Sequence, residues 1–374
     1  MSFYHPLAKN LSNLPGLFIK KKIVVIESDD WGSVRMPSKA VFDILQKKSI
    51  DLTSGDSLRY NLNDTLASSD DLSSLFETLT SFKDSNGNSA IFTPISLVTN
   101  PDFEKIKANN FQEYYYEPFT ETLNRYPGCE NSFSLWKEGI RNKLFVPQFH
   151  GREHLNVKVW INALQKNDSD THLAFDYRCW GFNNKHPNNI TYQAAFDLDK
   201  PADLEDHKEI ITGGLKLFNE IFGYKASYFV PPNGPFNETL EKTAAESGIK
   251  YLSTSKIHHE PHGNGKYRKK FHYLGQKNKF DQLYITRNCF FEPNQEGKNW
   301  VDSCLADIQI AFRWQKPAVI SSHRVNYIGS LNPKNRENGL YYLKLLLQTI
   351  LKKWPTVEFM TSDQLGELIA KSKR

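Results

Sequence analysis

Apolar residues in this chain come in short solid blocks, and several of the blocks end abruptly in polar residues. Ile23-Val24-Val25-Ile26 runs straight into Glu27-Ser28-Asp29-Asp30. A β-branched block of that length, without alternation, predicts a strand buried on both faces. Similar blocks predict strands over Ala90 to Val98, Leu144 to Phe149, Ala226 to Val230, Ile249 to Ser253, Gln282 to Thr286, Ala318 to Ser321 and Val357 to Met360, and a further one over Thr171 to Phe175. Between them the apolar spacing changes to three and four, as in Leu72, Leu75, Phe76, Leu79 and Phe82, which places one stripe on a helix face. Helices are predicted over Ser38 to Gln46, Leu135 to Arg141, Asp203 to Phe222, Asn237 to Ser247, Val301 to Arg313 and Asn338 to Lys353. Ser38 reads as an N-cap, and Gly223 and Gly248 as C-caps. Strand–helix alternation of this kind predicts an α/β fold with a largely parallel sheet. Three stretches break the pattern and read as insertions: about 51–71, rich in Ser, Asp and Asn; about 101–128, rich in aromatics; and about 256–272, basic and rich in histidine. The linkers are short and no segment repeats, so residues 1–374 read as a single elaborated domain.

Composition narrows the class. In 374 residues, 39% are hydrophobic, enough for a sizeable core, and no apolar run reaches the roughly 20 residues of a membrane helix. No stable membrane insertion is therefore expected. The net charge of +5 is mild and unconcentrated, which argues against nucleic acid as a partner. Cys129, Cys179, Cys289 and Cys304 have no CxxC spacing, and Met1 to Lys22 has no continuous apolar signal region. Together these predict a cytoplasmic protein with reduced thiols. Oligomeric state is not legible.

The chemistry gathers at strand ends. Adjacent Asp29 and Asp30 are mutually repulsive unless a cation or shared proton relieves them. His150-Gly151-Arg152-Glu153-His154 follows a predicted strand and places two imidazoles at i and i+4, on one face of a helical turn, suited to one metal ion. The same five residues fit an inverted zinc-peptidase motif with Glu153 as base, but a strand and Pro147 precede them, and Asp29 and Asp30 would be left idle. Val230-Pro231-Pro232-Asn233-Gly234 forms a rigid turn after a strand, and Ser321-Ser322-His323 delivers a histidine at the end of another.

These four motifs, in this order, resemble those of the polysaccharide deacetylase family (NodB homology, carbohydrate esterase family 4), over roughly residues 20–370. The resemblance implies a distorted (β/α)7-type barrel with its site at the C-terminal ends of the strands. It implies a divalent cation on Asp30, His150 and His154, zinc foremost, with cobalt, nickel or manganese as the other candidates. Asp29 would be the general base and His323 the general acid. Trp31, Pro232, Asn233, Arg287 and Arg324 are the expected substrate contacts, the Asn233 amide serving the oxyanion. The implied partner is a carbohydrate, and the implied activity is hydrolysis of an N-acyl or O-acyl group on a sugar or glycan precursor.

The chain departs from the family pattern in four motif positions. Val230 stands where an arginine orients the base, Asn233 stands in place of an aromatic, Gly151 replaces a small hydroxyl residue, and Arg287-Asn288-Cys289 occupies the region of an Asp-x-x-Asp-Trp motif. Arg287 and Arg324 are the candidates to replace the missing arginine. Two alternatives stay open: a hydrolase of another linear C–N bond, and a catalytically silent glycan-binding relative.

Overall fold

The computed structural model describes residues 4–372, with side chains from residue 8 onward. Its strands in chain order are β1 (Ile23–Trp31), β2 (Phe92–Leu97), β3 (Thr99–Pro101), β4 (Tyr116–Pro118), β5 (Gln148–Gly151), β6 (Tyr228–Phe229), β7 (Tyr251–Thr254), β8 (Ile257–Pro261), β9 (Tyr267–Phe271), β10 (Leu283–Thr286), β11 (Cys289–Phe290), β12 (Ala318–His323) and β13 (Glu358–Met360). The main sheet runs β10-β7-β6-β5-β2-β1-β12-β11, with every pairing parallel. β13 adds to the first three residues of β1, before β2 begins to pair at Ile26. The fold is thus the α/β barrel-like class, a curled parallel sheet with helices around it. Seven strands from β10 to β12 match the expected number, and the short β11 and β13 are additions.

β1 is buried at all nine positions, as its solid apolar block predicts. Val24 and Ile26 face one core cluster with Phe92, Ile320 and the long helix Pro333–Lys353, while Ile23 and Val25 face another with Ile95, Val319 and Ile285. Period-two alternation thus feeds two cores from one strand. Ser38 accepts from the Val41 amide and starts the helix Lys39–Lys47, and Gly223 closes the helix Leu204–Phe222 at φ +78°.

The structure corrects several expectations. Thr171 to Phe175 is not a strand but part of the helix Ser169–Asp176. Asp168 caps the Thr171 amide, and Thr171, Ala174 and Phe175 turn inward at helical spacing, so the cap overrides a short, ambiguous apolar run. The three insertions are also folded. Residues 51–71 carry the helix Ser57–Asn63, residues 101–128 contribute β4 to a hairpin with β3, and residues 256–272 form the hairpin β8–β9. His258, in the basic histidine-rich insertion, is buried, with a ring nitrogen donating to the Phe236 carbonyl at 2.8 Å. All four cysteines are free and buried.

Candidate metal and hydrolytic site

Parallel pairing brings the polar ends of the strands to one rim. The β1–β12 register sets Asp29 beside His323. Simple alternation would turn Asp30 to the opposite face from Asp29. A bulge prevents this. Ser28 and Trp31 oppose Pro94 and Ser96, so β1 carries one extra residue there, and Asp30 takes φ +75°. A non-glycine residue at positive φ is strained, and bulges of this kind re-aim side chains. Gly32 follows at φ +91°, where a Cβ would fall 2.3 Å from the Leu97 carbonyl oxygen, so only glycine fits.

A second bulge lies across β2. Ser96 pairs with Phe149 and Leu97 with Gly151, leaving His150 as the extra residue of β5. Gly151 then takes φ +152°, and the chain leaves the strand as a loop. His150 and His154 are therefore not on a helical turn, contrary to expectation. The next helix begins only at Val157, capped by Asn156. The loop is pinned instead by the Val98 and Thr99 amides, which donate to the Arg152 carbonyl at 3.1 and 2.8 Å.

The two histidines still converge with Asp30. Ligand atoms of Asp30, His150 and His154 all lie within 4.8 Å of one another, and all three residues are buried. His154 Nε2 is 3.1 Å and His150 Nε2 3.4 Å from Asp30 Oδ1. His150 Nδ1 donates to the Val230 carbonyl at 2.6 Å, which fixes the tautomer and leaves Nε2 as a lone-pair donor, buried with no hydrogen-bond partner. Burial holds the His154 pKa below its ordinary value, against the pull of Asp30, so the ring is neutral. Burial raises the Asp30 carboxyl, but the two imidazoles outweigh it and hold it well below the usual range. Two imidazoles and a carboxylate aimed at one point, with an orphaned nitrogen among them, fit a borderline divalent cation such as zinc. Among the described residues this is the one such cluster.

Beside it, Asp29 is clamped by Arg287, which follows β10. The Arg287 Nη1 and Nη2 groups donate to the two Asp29 oxygens at 2.6 Å each, and its Nε donates to the buried Glu27 at 2.6 Å. Glu27 also accepts from Tyr228 at 2.6 Å and from Ser362 at 2.8 Å. Burial pushes the Asp29 carboxyl up, but the Arg287 guanidinium pulls it further down, to a net lowered pKa. Arg287, not Arg324, thus occupies the place beside the carboxylate, and Val230 contributes its backbone carbonyl while its side chain lies in the core.

His323 faces Asp29 from β12, its Nε2 being 3.9 Å from Oδ2. Its Nδ1 donates to Glu292 at 2.6 Å. Burial lowers its pKa, but Glu292 overrides that and brings it up to about 9. Glu292 is held in turn by Arg59 at 2.8 Å and by the Asn326 amide at 2.8 Å. Sequence reasoning missed Glu292 and Glu27. Glu292 stands just after Cys289-Phe290-Phe291, an apolar block too short to read as a strand, and Glu27 directly follows Ile23-Val24-Val25-Ile26, where a buried strand predicts no charge.

These groups open onto one cavity of about 660 Å³, whose wall includes Asp29, Asp30, His150, His154, Asn233, Arg287 and His323. Other expected contacts lie elsewhere. Trp31 is 1% exposed, packed edge-on against Phe145 and Trp136, with its Nε1 donating to Ser28. Gly32 and the bulge send that ring into the core, off the cavity wall. Arg324 is fully buried, with two nitrogens on Asp64 at 3.0 and 2.9 Å and a third on the Ser33 carbonyl, a structural anchor. Pro232 packs near Gly151, and its neighbours Pro231 and Asn233 line the cavity in its stead. Glu153, the base of the peptidase motif, is spent on Arg152 at 2.7 Å and Thr99 at 3.1 Å and is not on the cavity wall.

No protein-family model matches the sequence, and no curated protein matches it. Solved structures do align with the chain. A Mycobacterium smegmatis protein assigned to the polysaccharide deacetylases aligns at 12% identity and a TM-score of 0.46, covering 96% of this chain and 95% of that one. A Parabacteroides distasonis protein assigned as a glycoside hydrolase or deacetylase aligns at 9% identity and a TM-score of 0.48, covering 96% and 73%. The PuuE allantoinase aligns at 11% identity and a TM-score of 0.43, covering 95% and 92%. Each likeness is one of backbone course.

Proposed function

We propose that the chain is a metal-dependent hydrolase that removes an N-acyl or O-acyl group from a sugar or glycan precursor. One observation carries the reading: a buried Asp-His-His cluster stands beside a carboxylate clamped by arginine and an imidazole charged by glutamate, all facing one cavity. A divalent cation bound by Asp30, His150 and His154 would supply Lewis acidity toward an acyl carbonyl and lower the pKa of water. The chain's own groups do the rest. Asp29, ionised and oriented by Arg287, accepts the proton of the attacking water. His323, cationic at neutral pH through Glu292, returns a proton to the departing nitrogen or oxygen. The turn at Asn233 and Gly234, with φ of +55° and +94°, offers a backbone amide at the cavity for the developing oxyanion.

The test combines metal analysis with acetate release over a panel of N-acetylated and O-acetylated sugars. We expect bound metal and acetate release. Asp29→Asn should keep the metal and lose about 10²–10⁴-fold in rate, whereas Asp30→Asn should lose the metal itself. Cleavage of simple linear amides, with every acyl sugar untouched, would move the chain to the other C–N hydrolases. Glycan binding with neither metal nor turnover would make it a silent relative.

A further inference from the structure

The charges on the cavity wall do not balance. Asp29 is paired with Arg287, Asp56 with Arg59 at 3.1 Å, and Asp307 with Lys9 at 2.5 Å, while Asp30 faces its two histidines. Every carboxylate lining the cavity is thus committed. Two cations of the wall, Arg35 and Lys256, make no salt bridge with a described residue, and Asp64 and Asp307 act on them only from a distance. Lys256 Nζ meets only the neutral Ser12 hydroxyl at 3.2 Å and the Asn13 amide oxygen at 3.1 Å, and burial holds its pKa below the ordinary lysine value.

Arg35 is the more telling of the two. It follows β1 by four residues, on the loop that leaves the Asp29-Asp30 bulge. Its guanidinium carbon lies 4.4 Å from the centre of the Tyr60 ring, and the edge of that ring meets His323, with ring centres 5.7 Å apart. Its stem passes over Gly181, where a Cβ would fall 2.6 Å from the Arg35 Cγ. The side chain is therefore channelled by glycine and stacked on an aromatic, beside the reacting groups. Yet its Nε is buried without a partner, and no described residue accepts a hydrogen bond from it. An arginine stacked on an aromatic ring, whose guanidinium makes no hydrogen bond to a described residue, has its planar fork free for a carboxylate or phosphate of the ligand.

Resting on the deacylase reading above, we infer that the substrate is an acylated sugar bearing an anionic group, carboxylate or phosphate, received by Arg35, with Lys256 as the second cation of the cavity. A neutral N-acetylated sugar offers neither cation a direct ion pair, which disfavours it.

Calorimetric binding of glucose, glucuronate and glucose 6-phosphate to the holoprotein tests this without any turnover. One of the two acidic sugars should bind about tenfold or more tightly than glucose, and whichever does so names the anion. The preference should shrink in 0.5 M salt, collapse in Arg35→Met, persist in part in Arg35→Lys and weaken in Lys256→Met. The titration is repeated after chelation. A preference that vanishes on chelation while Arg35 is intact belongs to the metal and overturns the inference, as does equal affinity for all three sugars in the wild type or an undiminished preference in a folded Arg35→Met. Failure to release acetate from any sugar would sink the deacylase reading and leave these binding results standing.

Discussion

At the scale of single residues, each of the two groups proposed to move protons has a dedicated partner. Glu292 keeps His323 protonated, its pKa standing at about 9 against an ordinary value near 6.5. A general acid works only while protonated, so activity should fall as pH rises through about 9. In Glu292→Gln that alkaline limb should move toward neutral pH by a unit or more, read from a kcat/KM profile; a limb that stays in place would dismiss His323 as the acid. Arg287 serves two carboxylates at once, and Glu27 is fully buried. Arg287→Met should therefore cost about 3 kcal/mol of stability, because it strands a buried charge, and on the order of 10²-fold in rate. Adding Glu27→Gln should restore part of the stability in a urea melt and none of the rate. If the double variant recovers activity as well, Arg287 acts only on the fold.

At the scale of elements, the site depends on strands that break their own regularity. The bulges of β1 and β5 flank β2 and turn Asp30 and His150 toward each other. A different constraint holds His323. The short turn after β12, Arg324–Asn326, presses against the helix Pro333–Lys353 at Gly339, where a Cβ would fall 1.6 Å from the Asn326 carbonyl oxygen. No side-chain adjustment relieves a clash with backbone. Gly339→Ala should lower stability by about 3 kcal/mol or more and, in whatever folds, displace His323 and Glu292 together, since Asn326 bonds both. Wild-type stability and rate in that variant would show that helix and turn can separate freely.

At the scale of the whole molecule, the candidate metal cluster of Asp30, His150 and His154 sits at the rim of a sheet held together by apolar cores. Chelation should leave the circular dichroism spectrum unchanged and lower the thermal midpoint by a few degrees, recoverable by excess zinc, because a ligand stabilises only by its binding free energy. Global unfolding on chelation would make the ion structural. Acid should act elsewhere. His207, on the helix Leu204–Phe222, is buried against Phe196, and burial takes its pKa down to about 4. A depressed folded pKa means that the native state binds fewer protons, so this contribution is whole above about pH 6.5 and is lost as pH falls toward 4. His207→Phe should flatten the decline in stability between pH 6.5 and 4, measured by denaturant melts at several pH values. An unchanged slope would show that the ring is reached by water.

What could be read directly from the chain was local. Solid apolar blocks ending in Asp29-Asp30, in His150 and in His323 announced buried strands with chemistry at their ends, because burial and charge are properties of neighbouring residues. The parallel α/β class followed from their alternation with helices. The pairing of these ends was decided only in three dimensions. Arg287 reaches Asp29 across 258 residues of sequence, and no local pattern distinguishes it from Arg324, which the fold buries on Asp64. Nor could spacing tell a helical turn from a loop at His150 to His154, or reveal that Trp31 turns inward. Those outcomes hang on backbone angles at Asp30 and Gly151 and on close approaches to β2, which exist only once the sheet has formed.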